Sequence, residues 1–413
     1  MRFLKPKGFF MPKIYPFKAF RYSGTSKEVA QLVCPPYDVI GSSLEKNLRK
    51  IKNNAIQVEL PQGTDLDKYE NAKKIWQDWV KKMVVQQDQE SSFYVYEQIF
   101  KKDGESASRK GFFCELEVEK PGEGSVLRHE LTLSKPKEDR LNLLKALQMN
   151  TSSIFGMFKD PNQKVGKILT DFSKKDPLVE FKDKDHVLHK IWALRDIKLQ
   201  NVFQEALQKS PVLIADGHHR YETAWNYSQI KKELVGSKRT LFYLCPMEDK
   251  GLLIYPTHRI LMPQGQGGKV LFKQLLEQLN SLKEFFWLKP ALKKPAKDYS
   301  FILSYGREKF AVGIHSLSAL KNLFPDKSEP YLKLPLVHLH SVFLPEKKKE
   351  DFIYTHDKKE ALQIAKKLDS VALLVPPSFI QELYQIVSQG ELMPQKSTYF
   401  YPKLLTGLVF RSL

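Results

Sequence analysis

Residues 216–220 read Asp-Gly-His-His-Arg, so one carboxylate, two imidazoles and a guanidinium surround a glycine in five consecutive positions. Such a set can hold and transfer a phosphate. An arginine fork pairs with two phosphate oxygens, a histidine supplies a donor that is neutral or charged near pH 7, and an aspartate binds Mg²⁺ or takes a proton. Gly217 admits the left-handed backbone of a sharp turn. The same letters leave a second chemistry open. His218 and Glu222 stand four apart, as do His219 and Thr223, and His218, Glu222 and Asp216 together would suit a divalent ion in a hydrolase of phosphate esters or amides. The chain has no H-x-x-x-H pair and no HExxH motif, and no structural metal is expected. A plainer alternative makes Asp216 a helix cap, but five such residues in a row exceed what a cap needs.

The flanking residues say what must position this cluster. Residues 211–215, PVLIA, read as a short buried strand,. From Tyr221 onward, Ala224, Trp225 and Tyr227 or Gln229 fit one face of a helix,. Residues 216–220 therefore occupy a strand-to-helix turn, where unpaired N–H groups and the positive end of the helix dipole favour an anion. Other polar clusters could converge there: RHELT at 128–132, which contains Glu130, EDR at 138–140, PTHR at 256–259 with Arg259, and PQKSTYFYPK at 394–403 with Lys396, Ser397, Thr398 and Lys403. The proline turn CPPYDVI at 34–40 reads as structural. Aromatics interleaved with lysine in KSTYFYPK would also suit base stacking, although a strand with a polar edge facing the site is the favoured reading.

The chain has 413 residues, 42% of them hydrophobic, and length alone suggests two or three lobes,. Its organisation reads as α+β, or mixed α/β, with an extension at 1–14, a catalytic region at 15–265 and a second α+β region at 266–413 that returns KSTYFYPK toward the site. Helices are expected at 42–51 behind a serine cap, at 65–83 with Tyr69, Ala72, Trp76, Trp79 and Met83 on one stripe, at 138–150 and near 197–209. Strands are expected at 91–100 and 109–119 around the KKDGES turn, at 152–160, and at 240–248 and 251–261 around a turn at 249–251. Residues 352–377 read as strand, helix, strand, whereas 270–345 show little pattern.

Three cysteines with no C-x-x-C spacing fit buried thiols in a reducing compartment, so a cytoplasmic location is expected,. No apolar run reaches the length of a membrane span. The net charge of +19 invites nucleic acid,, yet the lysines are spread along the chain, and an acidic small-molecule substrate explains the charge as well. A nucleic-acid partner is therefore disfavoured.

CPPYDVI, FYVYEQIF, RHELT, EDRLNLLKA, IADGHHRYETA, PTHR and MPQKSTYFYPKL occur in an order that resembles a large microbial family, known as a domain of unknown function, from about residue 15 to the C-terminus. The DGHHR core is similar to the phosphate-binding motif of the ParB-like and sulfiredoxin-like superfamily, whose free-serine kinases carry the same five letters. That resemblance implies a small-molecule phosphotransferase using ATP or ADP with Mg²⁺ to convert L-serine into O-phosphoserine. It implies catalytic roles for Asp216, His218, His219 and Arg220, with Asp216 on the metal and Glu130 as the candidate base. Gly217, Arg220 and Thr223 are then expected to contact the nucleotide, and Arg259 and Lys396 its remaining phosphates or the acceptor carboxylate. A non-enzymatic nucleotide- or nucleic-acid-binding regulator is the alternative that the superfamily also offers. No Walker A or protein-kinase signature is present.

Overall fold

The computed structural model describes residues 11–64, 66–130, 134–263, 265, 267–291, 298–394 and 396–413. The expected basic N-terminus, Leu131 and Thr132 of the RHELT run, and most of the KPALKKPAKD loop lie outside them. Helices and several sheets make a mixed α/β protein. The chain divides into one unit of residues 1–253 with 402–413, and a second of 254–401. The break therefore falls at 253/254 rather than near 265, and the last twelve residues return to the first unit.

The first unit is built on a nine-stranded mixed sheet. Its order is Val126–Leu127, Val212–Asp216, Ile154–Phe158, Arg239–Pro246, Glu105–Glu117, Phe93–Lys102, Leu188–Leu194, Val179–Lys182, with Ile14–Tyr15 paired to Glu105–Glu117. The long hairpin Phe93–Lys102/Glu105–Glu117 turns through Asp103 and Gly104, both at positive φ. An Asp-Gly pair suits that geometry because its twist matches the strands. Phe93, Phe112, Phe158, Trp192, Leu194, Phe203 and Phe242 fill one core. Helix Ile197–Leu207 seals it with Phe203 and Leu207, each worth about 1.5–3 kcal/mol on burial, and Asp196 caps its first turn by accepting from the N–H of Lys198 and Leu199.

Helix Asp67–Lys81 buries Tyr69, Ala72 and Trp79 as its spacing predicts. Met83 has left the helix at positive φ and is exposed. Helix Ser42–Arg49 starts behind Gly41 with no side-chain cap, so the expected serine cap is absent. Helix Ser134–Leu147 begins earlier than 138. The expected hairpin of 240–248 with 251–261 does not form. Arg239–Pro246 pairs with Glu105–Glu117 and Ile154–Phe158, and the following stretch splits into Leu253–Tyr255 and His258–Leu261 around Pro256, which has no N–H to offer a ladder.

The second unit contains a six-stranded antiparallel sheet in the order Phe286–Pro290, Glu308–Ile314, Phe301–Tyr305, Ala372–Leu374, His258–Leu261, Phe352–Thr355. Helix Gly268–Ser281 places Phe272, Leu275 and Leu279 in a core with Phe301, Val312 and Phe343. The strand–helix–strand pattern at 352–377 is observed. Among the described residues no helix is long and apolar enough to cross a membrane.

Candidate functional site

Strand Val212–Asp216 runs through the core and ends where helix His218–Ile230 begins. Its ladder with Ile154–Phe158 shifts register between Ile214, opposite Gly156, and Asp216, opposite Phe155. The extra residue, Ala215, is a bulge that re-aims the strand end. Gly156 makes the pairing close: a Cβ there would meet Val212 and Leu244 side chains at 2.7 and 2.8 Å. Gly217 then turns the chain at φ 92°, ψ 28°, a left-handed conformation that costs any other residue roughly 1–2 kcal/mol. Gly217 gives the helix no side-chain cap, so its first-turn N–H groups receive no acceptor from the capping residue.

Charged groups from distant parts of the first unit meet at this turn. Lys403 Nζ donates to Asp216 Oδ2 at 2.8 Å, and an Arg220 terminal nitrogen lies 3.9 Å from Asp216 Oδ1. Burial works against ionisation of Asp216, but the Lys403 ammonium and the Arg220 guanidinium outweigh it and hold the carboxyl well below the usual carboxylate range,. Arg220 also donates through Nη1 to the Ser153 carbonyl. Its Nε is buried with no hydrogen-bond partner among the described residues.

The two histidines next to each other in space are His129 and His218, with ring centroids 4.5 Å apart, edge to face. His129 is fully buried; its Nδ1 lies 2.8 Å from the Ile214 carbonyl and must carry the proton there, because a carbonyl only accepts,. The His129 backbone N–H donates to His218 Nε2 at 3.4 Å, so the neutral His218 ring carries its proton on Nδ1. Burial, then the neighbouring His129, pushes His218 well below the ordinary imidazole range. Glu130 Oε1 sits 3.8 Å from His129 Nε2, which brings the sequence's candidate base beside the turn.

Behind Arg220 lies a second cluster. Glu59 is wholly buried, accepts from the hydroxyls of Thr151 and Ser152, and has Arg140 Nη1 3.8 Å away. Arg140 also donates to the Glu59 carbonyl at 2.6 Å and to Asp139 at 2.6 Å, and packs 4.3 Å over the Tyr37 ring. Asp139 is further bound by Lys68 and the Tyr69 hydroxyl. Burial opposes its ionisation, but Arg140 and Lys68 bring its pKa down to about 2. Burial raises the Tyr37 phenol to about 12 against the pull of Arg220 and Arg140. Two small cavities flank Arg220. One, of about 40 Å³, is lined by Arg140, Thr151, Ser152, Arg220 and Thr223. The other, of about 10 Å³, is lined by Ser152, Ser153, Asp216, Arg220 and Thr406.

The structure thus brings Asp216, Gly217, His218, His219, Arg220, Thr223 and Glu130 into one region of the first unit. Arg259 and Lys396 belong to the second unit. Arg259 is fully buried there and donates to the carbonyls of Thr257 and Lys396 and to His340 Nε2, so its guanidinium is engaged in that unit's own packing rather than open to a phosphate. The metal set of Asp216, His218 and Glu222 is not assembled. Glu222 is held by Arg128 at 3.0 Å and Lys137 at 2.8 Å, and among the described residues no three His, Cys, Asp or Glu side chains are grouped to hold a metal ion. Sequence reasoning placed Lys403 and Arg140 only within supporting runs, and it passed over Glu59, Ser153 and Thr406. EDR at 138–140 and TSS at 151–153 were the available signals. The CPPYDVI turn, read as structural, supplies Tyr37 beneath Arg140.

A family model described as "Protein of unknown function (DUF1015)" matches residues 14–370. Among solved structures, similarity is found to a free serine kinase mutant in complex with ADP, at 14% identity and a TM-score of 0.35, covering 67% of this chain and 84% of that one. A conserved hypothetical protein from Pyrococcus furiosus matches at 16% identity and a TM-score of 0.35, covering 71% and 92%. SbnI with a C-terminal truncation from Staphylococcus aureus matches at 11% identity and a TM-score of 0.35, covering 70% and 85%. No curated protein matches the chain.

Proposed function

This chain belongs to the DUF1015 family, and within that family we propose that it is a nucleotide-dependent phosphotransferase acting on a small hydroxylated metabolite, with L-serine as the first acceptor to test. The observation that carries the reading is the Gly217 turn. It presents uncapped first-turn N–H groups beside Arg220 and Lys403, with an ionised carboxylate at Asp216. Asp216 to Arg220 keep partial solvent exposure, so a phosphate reaches them without opening the core.

In this mechanism the backbone of Gly217–His219 and the Arg220 guanidinium hold the transferring phosphoryl group and stabilise its charge, which is most of what such a transfer requires. The acceptor hydroxyl oxygen forms the new P–O bond while the bond to the nucleotide's leaving phosphate oxygen breaks. The hydroxyl proton passes to the Glu130 carboxylate, and the nucleotide leaves one phosphate shorter. His218, neutral with its proton on Nδ1, is a donor to a phosphate oxygen. His219 on the first helical turn is a second. Asp216, exchanging its contact with Lys403, would be the residue to hold a Mg²⁺ carried in by the nucleotide, and the ion would neutralise phosphate charge there.

The test is a screen of the purified full chain with Mg²⁺, reading ³¹P NMR for a new phosphomonoester. ATP, ADP and pyrophosphate serve as donors, and L-serine and related hydroxy compounds as acceptors. An O-phosphoserine signal that disappears in Arg220→Ala, at an unchanged circular-dichroism spectrum, supports the reading. An Arg220→Ala variant with the wild-type rate removes Arg220 as the clamp, and silence for every pair removes the phosphotransferase.

A further inference from the structure

The cavity on the inner side of Arg220 holds unused donors. Thr223 lies three residues after Arg220 on helix His218–Ile230, so both side chains share one helix face,, and both line the cavity of about 40 Å³. Thr223 is 3% exposed, and its Oγ1 has no hydrogen-bond partner among the described residues; the same is true of Arg220 Nε. Buried polar atoms are almost always paired, and these two unpaired donors belong to residues that line the same cavity. The neighbouring hydroxyls of Thr151 and Ser152 are turned to Glu59 instead. A water needs roughly 10–15 Å³, so a cavity of about 40 Å³ has room for a small group.

We propose that this cavity is an oxyanion subsite in which Thr223 Oγ1 and Arg220 Nε donate to one small anionic group, with Arg220 bridging it to the phosphate turn. The inference deepens the phosphotransferase reading and rests on it for the source of the oxyanion: the carboxylate of a small hydroxy- or amino-acid acceptor, or a phosphate of the donor.

The experiment titrates the full chain by calorimetry with L-serine, with serinol (which lacks the carboxylate) and with inorganic phosphate. The proteins compared are the wild type, Thr223→Val and Thr223→Ser. At least one oxyanion is expected to bind wild type and Thr223→Ser alike, and Thr223→Val about tenfold more weakly, the loss of one hydrogen bond to a charged group. Dependence on Thr223 for L-serine with serinol inert assigns the acceptor carboxylate; the same dependence for inorganic phosphate assigns the donor. Oxyanion binding that ignores Thr223→Val, or no oxyanion binding at all, overturns the subsite. Should Thr223→Val fail to fold, the Nε–H resonance of Arg220, identified by its loss in Arg220→Lys, decides instead: it must shift on oxyanion addition, and a fixed resonance overturns the subsite. Binding that follows Thr223 without phosphomonoester formation leaves the subsite standing and removes only the phosphotransferase.

Discussion

Lys403 and Asp216 are separated by 187 positions and meet at 2.8 Å, which makes their pairing the sharpest check on how the site is assembled. At that distance and an effective dielectric of about 20, the Coulomb attraction is about 6 kcal/mol. Desolvation and side-chain ordering cancel most of it. Exposed pairs retain about 0.2–1 kcal/mol, while breaking a fully buried pair costs about 3–5 kcal/mol. Lys403 and Asp216 are 16% and 20% exposed, so their coupling should fall between these limits, at about 2 kcal/mol. A double-mutant cycle of Lys403→Met and Asp216→Asn, read by thermal unfolding, should therefore show non-additivity of roughly 4–8 °C. Adding 0.5 M salt should leave most of it, because partly buried pairs are screened less. Lys403→Met should also raise the Asp216 pKa, since Arg220 alone remains as the nearby cation. Additivity within about 0.3 kcal/mol would show that Lys403 does not anchor Asp216.

Two further outcomes follow from single residues. Gly217→Ala places a Cβ 3.0 Å from the Arg220 guanidinium at φ 92°. It should lower the melting temperature by an amount matching about 1–2 kcal/mol and abolish anion binding at the turn; unchanged anion binding would mean the turn is not the cradle. In the second unit, burial brings His338 and His258 down to about 4 and His340 to about 3. A depressed imidazole stays neutral in the fold while the unfolded chain takes the proton. Stability should therefore be fully present above about pH 6.5 and fall as pH drops toward 4, by about 1.4 kcal/mol per pH unit for each such imidazole. His338, bonded to the Ser300 hydroxyl and the Leu332 carbonyl, is the one to replace: His338→Gln should flatten the acid slope of the melting curve by one imidazole's worth, and an unaltered slope would rule His338 out of the linkage.

The turn at 216–220 was legible because polar residues interrupt an apolar run at the end of a strand, and glycine among them signals a positive φ. Its partners were not. Glu59 sits in the four-residue helix Ile56–Glu59, too short for any periodicity, and its burial depends on Thr151, Ser152 and Arg140 far along the chain. Lys403 lies among residues that read as a strand edge, and only the return of 402–413 to the first unit brings it to Asp216. Arg259 misled for the opposite reason: a histidine–arginine pair at a strand end looks like a site, yet the strand His258–Leu261 is buried throughout, and the guanidinium serves backbone carbonyls. The middle of the second unit resisted reading because two of its helices are only four and three residues long, each with a proline (Pro330, Pro335) in its first turn, and are followed by the π-turn His338–Phe343,.

The hydrogen bonds around the turn divide its labour. The carbonyl of Ile214, on the strand that leads into the turn, fixes the His129 proton on Nδ1. The His129 N–H in turn occupies His218 Nε2, which leaves His218 one donor of settled identity. Burial holds both rings below the ordinary range, outweighing the pull of Asp216 on both and of Glu130 on His129, and His218 has His129 and Arg128 beside it as well. Positive charge at the turn is carried by Arg220 and Lys403, while His129 and His218, held neutral by burial, contribute direction rather than charge,.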